Sequence, residues 1–123
     1  MYLIDTDWII DYLKDNEAVV KKVKEKFELG LNVSIVSLAE LYEGIYGSDK
    51  PVENEKELEE FLIGITIVNL TKDVCKKFGE LRNELRKRGE LIGDFDLLIA
   101  STALINNLII LSDNTDHYKR IKG

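Results

Sequence analysis

The sequence predicts an α/β fold, a three-layer α/β/α arrangement around a central parallel sheet of about four to five strands. Four short apolar runs have the length of buried strands, and longer stretches with helical spacing of apolar residues separate them. Strands that alternate with helical crossovers pair in parallel and are covered by helices on both faces. The predicted strands are residues 2–4, 33–36, 66–70 and 108–111.

Two of the intervening stretches show where a helix begins or ends. Val20, Val23 and Phe27 recur at positions i, i+3 and i+7, and Gly30 is expected to end that helix in a left-handed conformation. Pro51 fits the first position of a later helix, where a missing backbone N–H leaves no bond unmade. The first two crossovers of the predicted sheet therefore contain helical sequence.

The second half of the chain carries similar signals. Thr71 is expected to cap the start of a long helix, and Gly89 is expected to end it. Asp94 fits the capping position of a further helix that runs over about residues 95–106. No composition shift or linker interrupts the chain, so we expect residues 1–123 to form a single domain.

The composition is that of a globular protein, because 45% of its 123 residues are hydrophobic and 33% are charged. Seventeen Lys and Arg residues against 23 Asp and Glu residues give a net charge of −6. This acidic balance argues against binding of nucleic acid through bulk charge alone. It is compatible with a site at which metal ions offset clustered carboxylates.

The chain has one cysteine, Cys75, which has no partner for an internal disulfide and is expected to be a core thiol. The first residues lack the basic start of a signal peptide. The apolar runs at 97–100 and 108–111 are far shorter than the roughly 20 residues of a membrane span. The sequence therefore predicts a soluble, cytoplasmic protein.

Acidic residues recur where predicted strands end and where the following helices begin. These two kinds of position meet on one edge of a parallel sheet, where ligands usually bind. Asp5 ends the first strand, and Glu40 lies in the first turns of the helix after the second. The other acids of this group open the helix before the fourth strand or follow that strand: Asp94, Asp96, Asp113 and Asp116.

Carboxylates packed together without compensation repel one another and raise one another's pKa. A hard cation such as Mg²⁺ or Mn²⁺ removes this conflict, and it prefers oxygen ligands. Zinc is disfavoured because His117 and Cys75 are the only softer ligands in the sequence. The competing interpretation is that each acid merely caps a helix, so the metal hypothesis depends on their convergence.

Three segments carry motifs of one protein family. Residues 3–10 form an apolar strand that ends in Asp-Thr-Asp before an apolar helix, and residues 34–44 contain Glu40 and Gly44. In residues 92–101, Asp96 directly precedes a Leu-Leu-Ile-Ala run. On these motifs nearly the whole chain resembles the PIN-domain ribonucleases, specifically the VapC-like toxins of type II toxin–antitoxin pairs. The resemblance implies a PIN-like fold in which Asp96 is a metal-site acid and Asp94 is an accessory residue or a cap.

The fourth motif departs from the family pattern. Asn114 stands where many members of the family carry an acidic residue. Either Asp113 or Asp116 supplies the missing charge, or Asn114 orients a water molecule. The sequence does not choose among these three candidates, nor between one metal ion and two.

The resemblance implies a metal-dependent endoribonuclease that cleaves RNA phosphodiesters with Mg²⁺ or Mn²⁺. In that assignment Asp5 and Asp96 hold the first ion, while Glu40 and a fourth-motif group help to hold a second ion or position the attacking water. Two hydroxyl residues, Thr6 and Ser37, either donate hydrogen bonds near the metals or cap helices.

Four basic residues are candidates for binding RNA phosphates. Lys119 and Arg120 follow the fourth motif and are expected near the active edge. Arg82 and Arg86 belong to the densest basic segment, although a solvated helix end explains that segment equally well.

The resemblance also implies two protein partners, a cognate antitoxin that blocks the active site and a second copy of the chain in a homodimer. Four aromatic residues on the first helices after the first two strands are either core residues or an anchoring groove for a partner helix. They are Trp8, Tyr12, Tyr42 and Tyr46.

Two other functions compete with the ribonuclease. The first is a small haloacid-dehalogenase-like phosphohydrolase, in which Asp5 of the Asp-Thr-Asp segment is the nucleophile. That hypothesis leaves Glu40 without a role, and Trp8 stands where a small residue is expected. The second is a degenerate PIN domain that binds without catalysis, which weak or absent metal binding would indicate.

Overall fold

The computed structural model describes residues 1–119 and 121, except for the side chains of Asp116 and His117. Its central sheet has four parallel strands, so the predicted fold class is confirmed. The strands lie in the order β3-β2-β1-β4. They are β1 (Tyr2–Ile4), β2 (Leu31–Ser34), β3 (Thr66–Val68) and β4 (Ile109–Leu111).

Helices fill the connections between the strands and follow the last one. None of those in the described residues is long and apolar enough to cross a membrane. The helices are α1 (Thr6–Leu13), α2 (Glu17–Phe27), α3 (Ile35–Tyr46), α4 (Pro51–Leu62), α5 (Lys72–Arg88), α6 (Asp94–Asn106) and α7 (Thr115–Lys119).

Successive residues of β1 point to opposite faces of the sheet and so join two different cores. Ile4 packs in a large cluster with residues of α1 to α4, among them Ile9, Leu41 and Leu58. Leu3 packs on the other face against Ile99 and other residues of α6. The sheet is therefore covered by helices on both sides, as the apolar runs predict.

The site lies at the carboxyl edge of the two central strands and β4. β1 pairs with both β2 and β4, and its Ile4 is in register with Leu111. Asp5 follows directly and donates its backbone N–H to the carbonyl of Leu111 at 3.0 Å. The ends of these strands therefore bring residues about a hundred positions apart in the sequence to the same place.

Three of the four strands have boundaries that differ from the predicted ones, and β2 both begins and ends two residues earlier. β2 ends at Ser34 because the Ser34 hydroxyl accepts the backbone N–H of Val36 at 3.1 Å and starts α3 there. β3 ends at Val68, where its pairing with Ser34 ends. β4 begins at Ile109 because the left-handed cap of α6 at Asn107 precedes it.

Several helix boundaries agree with the sequence signals. Pro51 is at the start of α4, the Thr71 hydroxyl caps α5, and Gly89 ends α5 with a φ of 68°. Gly30 has the expected positive φ of 92°, although α2 already ends at Phe27, which is 42% exposed.

Two predictions about single residues are wrong. Asp94 does not cap α6, because the capping residue is Gly93 and Asp94 occupies the first turn. Cys75 is not a core thiol but is exposed. It lies next to Val74, the fully buried residue of that turn of α5, and consecutive helical residues face different directions.

Candidate functional site

Asp5 lies at the centre of the carboxyl edge and is only 3% exposed. Its Oδ1 accepts the backbone N–H of Thr6 at 2.8 Å, which caps α1. Its Oδ2 accepts hydrogen bonds from two hydroxyls, that of Ser112 at 2.6 Å and that of Tyr118 at 3.0 Å. The buried carboxylate is therefore held by residues from the other end of the chain.

Glu40 reaches the same place from α3. Its Oε1 accepts the hydroxyl proton of Thr6 at 2.7 Å, and the Thr6 oxygen lies 3.0 Å from the hydroxyl of the buried Ser37. Thr6 is thus adjacent to Asp5 in the chain and bonded to Glu40 in space. The two hydroxyl residues that the sequence analysis selected do lie at the site, where they connect α1 to α3.

Asp96 arrives from the first turn of α6. Its Oδ2 accepts a hydrogen bond from the side-chain amide of Asn114 at 2.7 Å. The backbone N–H of Asn114 in turn donates to the Ser112 hydroxyl at 2.9 Å. Among the fourth-motif candidates with described side chains, Asn114 therefore faces an acid of the site.

The side chain of Asp113 contacts α1, unlike that of Asn114, which contacts Asp96. Its Oδ1 accepts the indole N–H of Trp8 at 3.0 Å, and its backbone N–H donates to Asp7 Oδ2 at 3.2 Å. Asp7 Oδ1 also accepts the backbone N–H of Trp8 at 2.7 Å. Asp7 and Trp8 together fasten the loop after β4 to the start of α1, which positions both Ser112 and Asn114.

The three acids Asp5, Glu40 and Asp96, called here the inner carboxylates, influence one another electrostatically. Burial raises the pKa of Asp5, and the charge of Asp96 adds to this against three hydrogen bonds that lower it. Burial also raises the pKa of Glu40, and the charges of Asp5 and Asp96 contribute. The fold therefore keeps these groups close despite their repulsion.

Two residues beside the inner carboxylates, Asp7 and Tyr118, also have raised pKa values. Burial, followed by the charge of Asp5, raises the pKa of Asp7 to about 6. Burial and the charges of Asp5 and Asp96 raise the pKa of the Tyr118 hydroxyl, which therefore stays protonated and donates to Asp5.

The oxygen atoms of the site define which metal ion it suits. Within the described residues, no three His, Cys, Asp or Glu side chains are arranged to hold a metal ion as they stand. The inner carboxylates nevertheless fit Mg²⁺ or Mn²⁺ chemically, since they offer only oxygen ligands. Burial is the main reason that the pKa values of Asp5 and Glu40 are raised, and the neighbouring negative charge that adds to it is charge that a cation would offset.

Other predicted site residues lie away from this cluster or outside the described residues. Asp94 is exposed and forms an ion pair with Arg82, whose Nε lies 3.0 Å from its Oδ1. Arg86 donates to the side chain of Asn83, and Lys119 is exposed at the end of α7. Arg120 and the side chain of Asp116 lie outside the part of the chain that the structure describes.

The four aromatic candidates divide between core and surface. Trp8 is buried, and the Tyr12 ring packs against Phe61 at a centroid distance of 4.7 Å. Tyr42 and Tyr46 stack at 6.0 Å, and their hydroxyls donate to Glu59 and Glu55 of α4. Trp8 therefore belongs to the core, the half-buried Tyr12 and Tyr42 pack against it, and Tyr46 is exposed.

The predicted site residues do not include Ser112, Asp7 or Tyr118. Ser112 and Tyr118 contact Asp5 directly, and Asp7 holds the loop between them. The one available signal was an aromatic residue, Tyr118, shortly after the fourth motif. Nothing in the sequence indicates that its hydroxyl reaches a residue at position 5.

Comparison with known proteins finds similar sequences along nearly the whole chain. A family model described as PIN domain matches residues 2–123. The chain is 32% identical over 120 residues to ribonuclease VapC2 of Haemophilus influenzae, covering 98% of this chain and 91% of that protein. It is 31% identical over 125 residues to the tRNA(fMet)-specific endonuclease VapC of Shigella flexneri, covering 99% and 92%.

A solved structure shows the same fold. The complex VapBC2 from Rickettsia felis, bound to a DNA fragment from its promoter, contains a chain that superimposes with a TM-score of 0.91 at 30% sequence identity. The match covers 98% of this chain and 92% of that one. The similarity therefore includes the strands and helices that carry the site.

Proposed function

Because the chain belongs to the PIN-domain family, and within it to the VapC ribonucleases, we propose that it is a metal-dependent endoribonuclease and the toxin of a type II toxin–antitoxin pair. The observation that carries this proposal is the convergence of Asp5, Glu40 and Asp96, from β1, α3 and α6, on one sheet edge. The charge of Asp96 contributes to the raised pKa of both Asp5 and Glu40, and that of Asp5 contributes to the raised pKa of Glu40, although the three acids are far apart in the sequence.

Asp5 and Asp96 are proposed to hold the metal ion, either Mg²⁺ or Mn²⁺. When bound, such an ion lowers the pKa of water and neutralises charge that develops on the phosphate. Asn114 keeps Asp96 in place through its side-chain amide. In this proposal Asn114, rather than Asp113, is the fourth-motif group, because Asp113 is engaged by Trp8.

Glu40 is proposed to orient the attacking water and receive its proton, or to help hold a second ion. The Thr6 hydroxyl occupies Oε1, which leaves Oε2 to accept a hydrogen bond from water. A raised pKa suits a carboxylate that takes up a proton during the reaction, because general bases work best with a pKa near the working pH. Ser37 supports this arrangement by contacting the Thr6 oxygen.

RNA binding is assigned to basic residues around the acidic site. Lys119 is the best-supported phosphate contact, because it is exposed and directly follows Tyr118, whose hydroxyl contacts Asp5. Arg120 is its proposed neighbour in this role. Arg82 and Arg86 are secondary candidates, since Arg82 is engaged by Asp94 and contact with RNA requires it to share or leave that pair.

The proposed protein partners are an antitoxin and a second copy of the chain. A groove of about 390 Å³ beside Glu40 runs between α1, α3 and α4, with Ile10, Leu41 and Ile45 among its apolar lining residues. Such a lining suits the apolar face of an antitoxin segment. We propose that toxin, RNA and antitoxin meet in the cytoplasm.

The comparisons exclude the phosphohydrolase, because the family model that matches is the PIN domain. The geometry of the site also disfavours a phosphohydrolase, in which Asp5 would be the nucleophile, because two hydroxyls already contact Oδ2 of Asp5. A binding module without catalysis remains an outcome of the test below.

The proposal is tested by incubating a labelled structured RNA with the protein in Mg²⁺, Mn²⁺ or EDTA. Asp96→Asn keeps the shape of the side chain and removes its charge, and Asp94→Asn is the matched control in the same helical turn. We expect metal-dependent cleavage that falls at least about a hundredfold in Asp96→Asn, since a metal contributes several kcal/mol and 1.4 kcal/mol is tenfold.

The control variant is expected to retain most of the cleavage. Equal cleavage by the unsubstituted protein and Asp96→Asn would identify a contaminating nuclease and contradict the proposal. Metal binding without cleavage of any RNA would favour the binding module.

A further inference from the structure

The contact between Tyr118 and Asp5 joins α7 to the residue that directly follows β1. The Tyr118 hydroxyl lies 3.0 Å from Asp5 Oδ2, across 113 positions of sequence. Asp5 is 3% exposed, so the contact is shielded from water. A hydrogen bond to a buried charged group is stronger than its exposed counterpart and orients the group that accepts it.

The hydrogen bonds of Asp5 are distributed unequally between its two oxygens. Oδ2 accepts two hydroxyls, those of Ser112 and Tyr118, whereas Oδ1 accepts the backbone N–H of Thr6. A carboxylate oxygen has about two lone-pair directions. Oδ2 is therefore saturated by its two donors, and Oδ1 keeps one direction for a further ligand.

The Tyr118 ring is itself held in place. It lines a crevice of about 180 Å³ with Ala100 and Leu104 of α6 and Ile110 of β4. The carbonyl of Tyr118 accepts the backbone N–H of Ile121 at 3.1 Å, and Ile121 packs against the cluster formed by α5 and α6. The phenol therefore approaches Asp5 from a packed support.

We propose that Tyr118 is a positioning residue for Asp5: its hydroxyl, with that of Ser112, fixes Oδ2 and leaves Oδ1 as the oxygen that a divalent cation contacts. This inference rests on the proposed function, because it gives Asp5 the role of a metal ligand. Groups that orient a metal ligand typically contribute about 10- to 100-fold to metal affinity or activity. Tyr118 touches neither the ion nor the RNA in this role.

The decisive variant is Tyr118→Phe, which keeps the ring in its crevice and removes the hydroxyl. Binding of Mn²⁺ is measured by electron paramagnetic resonance, in which the signal of free Mn²⁺ is lost on binding. We expect affinity to fall about tenfold or more. With the structured RNA, kcat is expected to fall by a similar factor while KM changes less than about twofold, because ground-state binding of the RNA is unaffected.

Two further variants distinguish the effect of the Tyr118 hydroxyl from that of its ring and from the loss of a tyrosine hydroxyl elsewhere. Tyr118→Leu removes both groups, so it is expected to show the same loss of Mn²⁺ affinity and a lower melting temperature. Tyr2→Phe removes a tyrosine hydroxyl at the opposite end of β1 and is expected to bind Mn²⁺ like the unsubstituted protein. Circular dichroism establishes that each variant is folded.

Three results would overturn the inference. Unchanged or tighter Mn²⁺ binding by Tyr118→Phe would show that the hydroxyl is dispensable or competes with the ion. Weaker binding in Tyr118→Leu alone would assign the effect to ring packing. Absence of Mn²⁺ binding by the unsubstituted protein would overturn both this inference and the proposed metal dependence.

The two proposals fail differently. Weaker Mn²⁺ binding by Tyr118→Phe, in a protein that cleaves no RNA, supports the positioning role and contradicts the ribonuclease. Metal-dependent cleavage that is equal in both proteins supports the ribonuclease and contradicts the positioning role.

Discussion

Tyrosine hydroxyls bind carboxylates in two regions of this protein, and the surroundings differ. At the site, Tyr118 donates to Asp5, which is 3% exposed. On the outer surface of α3 and α4, Tyr46 donates to Glu55 at 2.6 Å and Tyr42 donates to Glu59, the pair called here the outer carboxylates. Tyr46 is 65% exposed, so water competes for its hydrogen bond.

The origin of the pKa shifts shows what the difference means. The hydrogen bond to Glu59 is the main reason that the pKa of Tyr42 rises to about 12. For Tyr118 and Asp5, burial is the main reason for the raised pKa values, and charges of neighbouring acids add to it. The outer pairs are local contacts, whereas the inner carboxylates belong to a desolvated cluster under electrostatic stress.

The largest effect is expected at Asp5, where a substitution should lower activity without lowering stability. Asp5→Asn removes a buried charge, and the hydroxyls of Ser112 and Tyr118 can accept hydrogen bonds from the new amide. We expect cleavage of RNA to fall at least about a hundredfold, while the melting temperature in EDTA at pH 7.5 stays equal or rises. Glu59→Gln, in an outer pair, is the control and is expected to leave cleavage within about twofold. A lower melting temperature of Asp5→Asn in EDTA would contradict electrostatic stress at the site.

An effect of intermediate size is expected on the melting temperature when the pH and the metal ion are varied. Asp7, with a pKa raised from 3.8 to about 6, binds its proton more tightly in the folded protein than in the unfolded chain. Its contribution to the free energy of unfolding is therefore fully present below pH 3.8 and is lost as the pH rises through about 6. The raised pKa values of Asp5 and Glu40 act in the same direction.

Thermal melts in EDTA and in Mg²⁺ between pH 4.5 and 7.5 measure this effect. We expect the EDTA melting temperature to fall with pH, and the gain from Mg²⁺ to increase with pH because the metal binds ionised carboxylates. A gain from Mg²⁺ that is independent of pH would indicate binding elsewhere.

The smallest effect is expected at the outer carboxylates. Tyr46→Phe removes the hydrogen bond to Glu55 on an exposed surface, so we expect the free energy of unfolding to change by about 1 kcal/mol or less. Urea titration measures this change. A loss clearly larger than this would mean that the outer pairs are as important as the inner ones and would remove the contrast between the two regions.

Much of the fold was predictable because it depends on local chemistry. The strand runs, the proline at the start of α4 and the caps at Thr71 and Gly89 all follow from the properties of single residues and their near neighbours. The same holds for the placement of Asp5 and Glu40 after parallel strands, because all such ends meet on one edge. The start of α3 was missed because the Ser34 cap overrides a β-branched run.

Other features depend on how distant segments pack. Asp94 and Asp96 lie in one turn of α6, but side chains two positions apart on a helix point about 200° away from each other. Asp94 therefore pairs with Arg82, whereas Asp96 faces Asn114. The sequence alone does not say which of the two faces the sheet edge, and the family motif was needed to select Asp96.

The amino-acid sequence by itself determined the order of strands and helices, the family and the three inner carboxylates, because periodicity, caps and motifs are properties of short segments. Tertiary structure alone decided that Asn114 faces Asp96, that Trp8 engages Asp113 and that Tyr118 donates to Asp5. The physical reason is that a hydrogen bond requires two groups within about 3 Å. For partners a hundred residues apart, only the packing of helices on the completed sheet sets that distance.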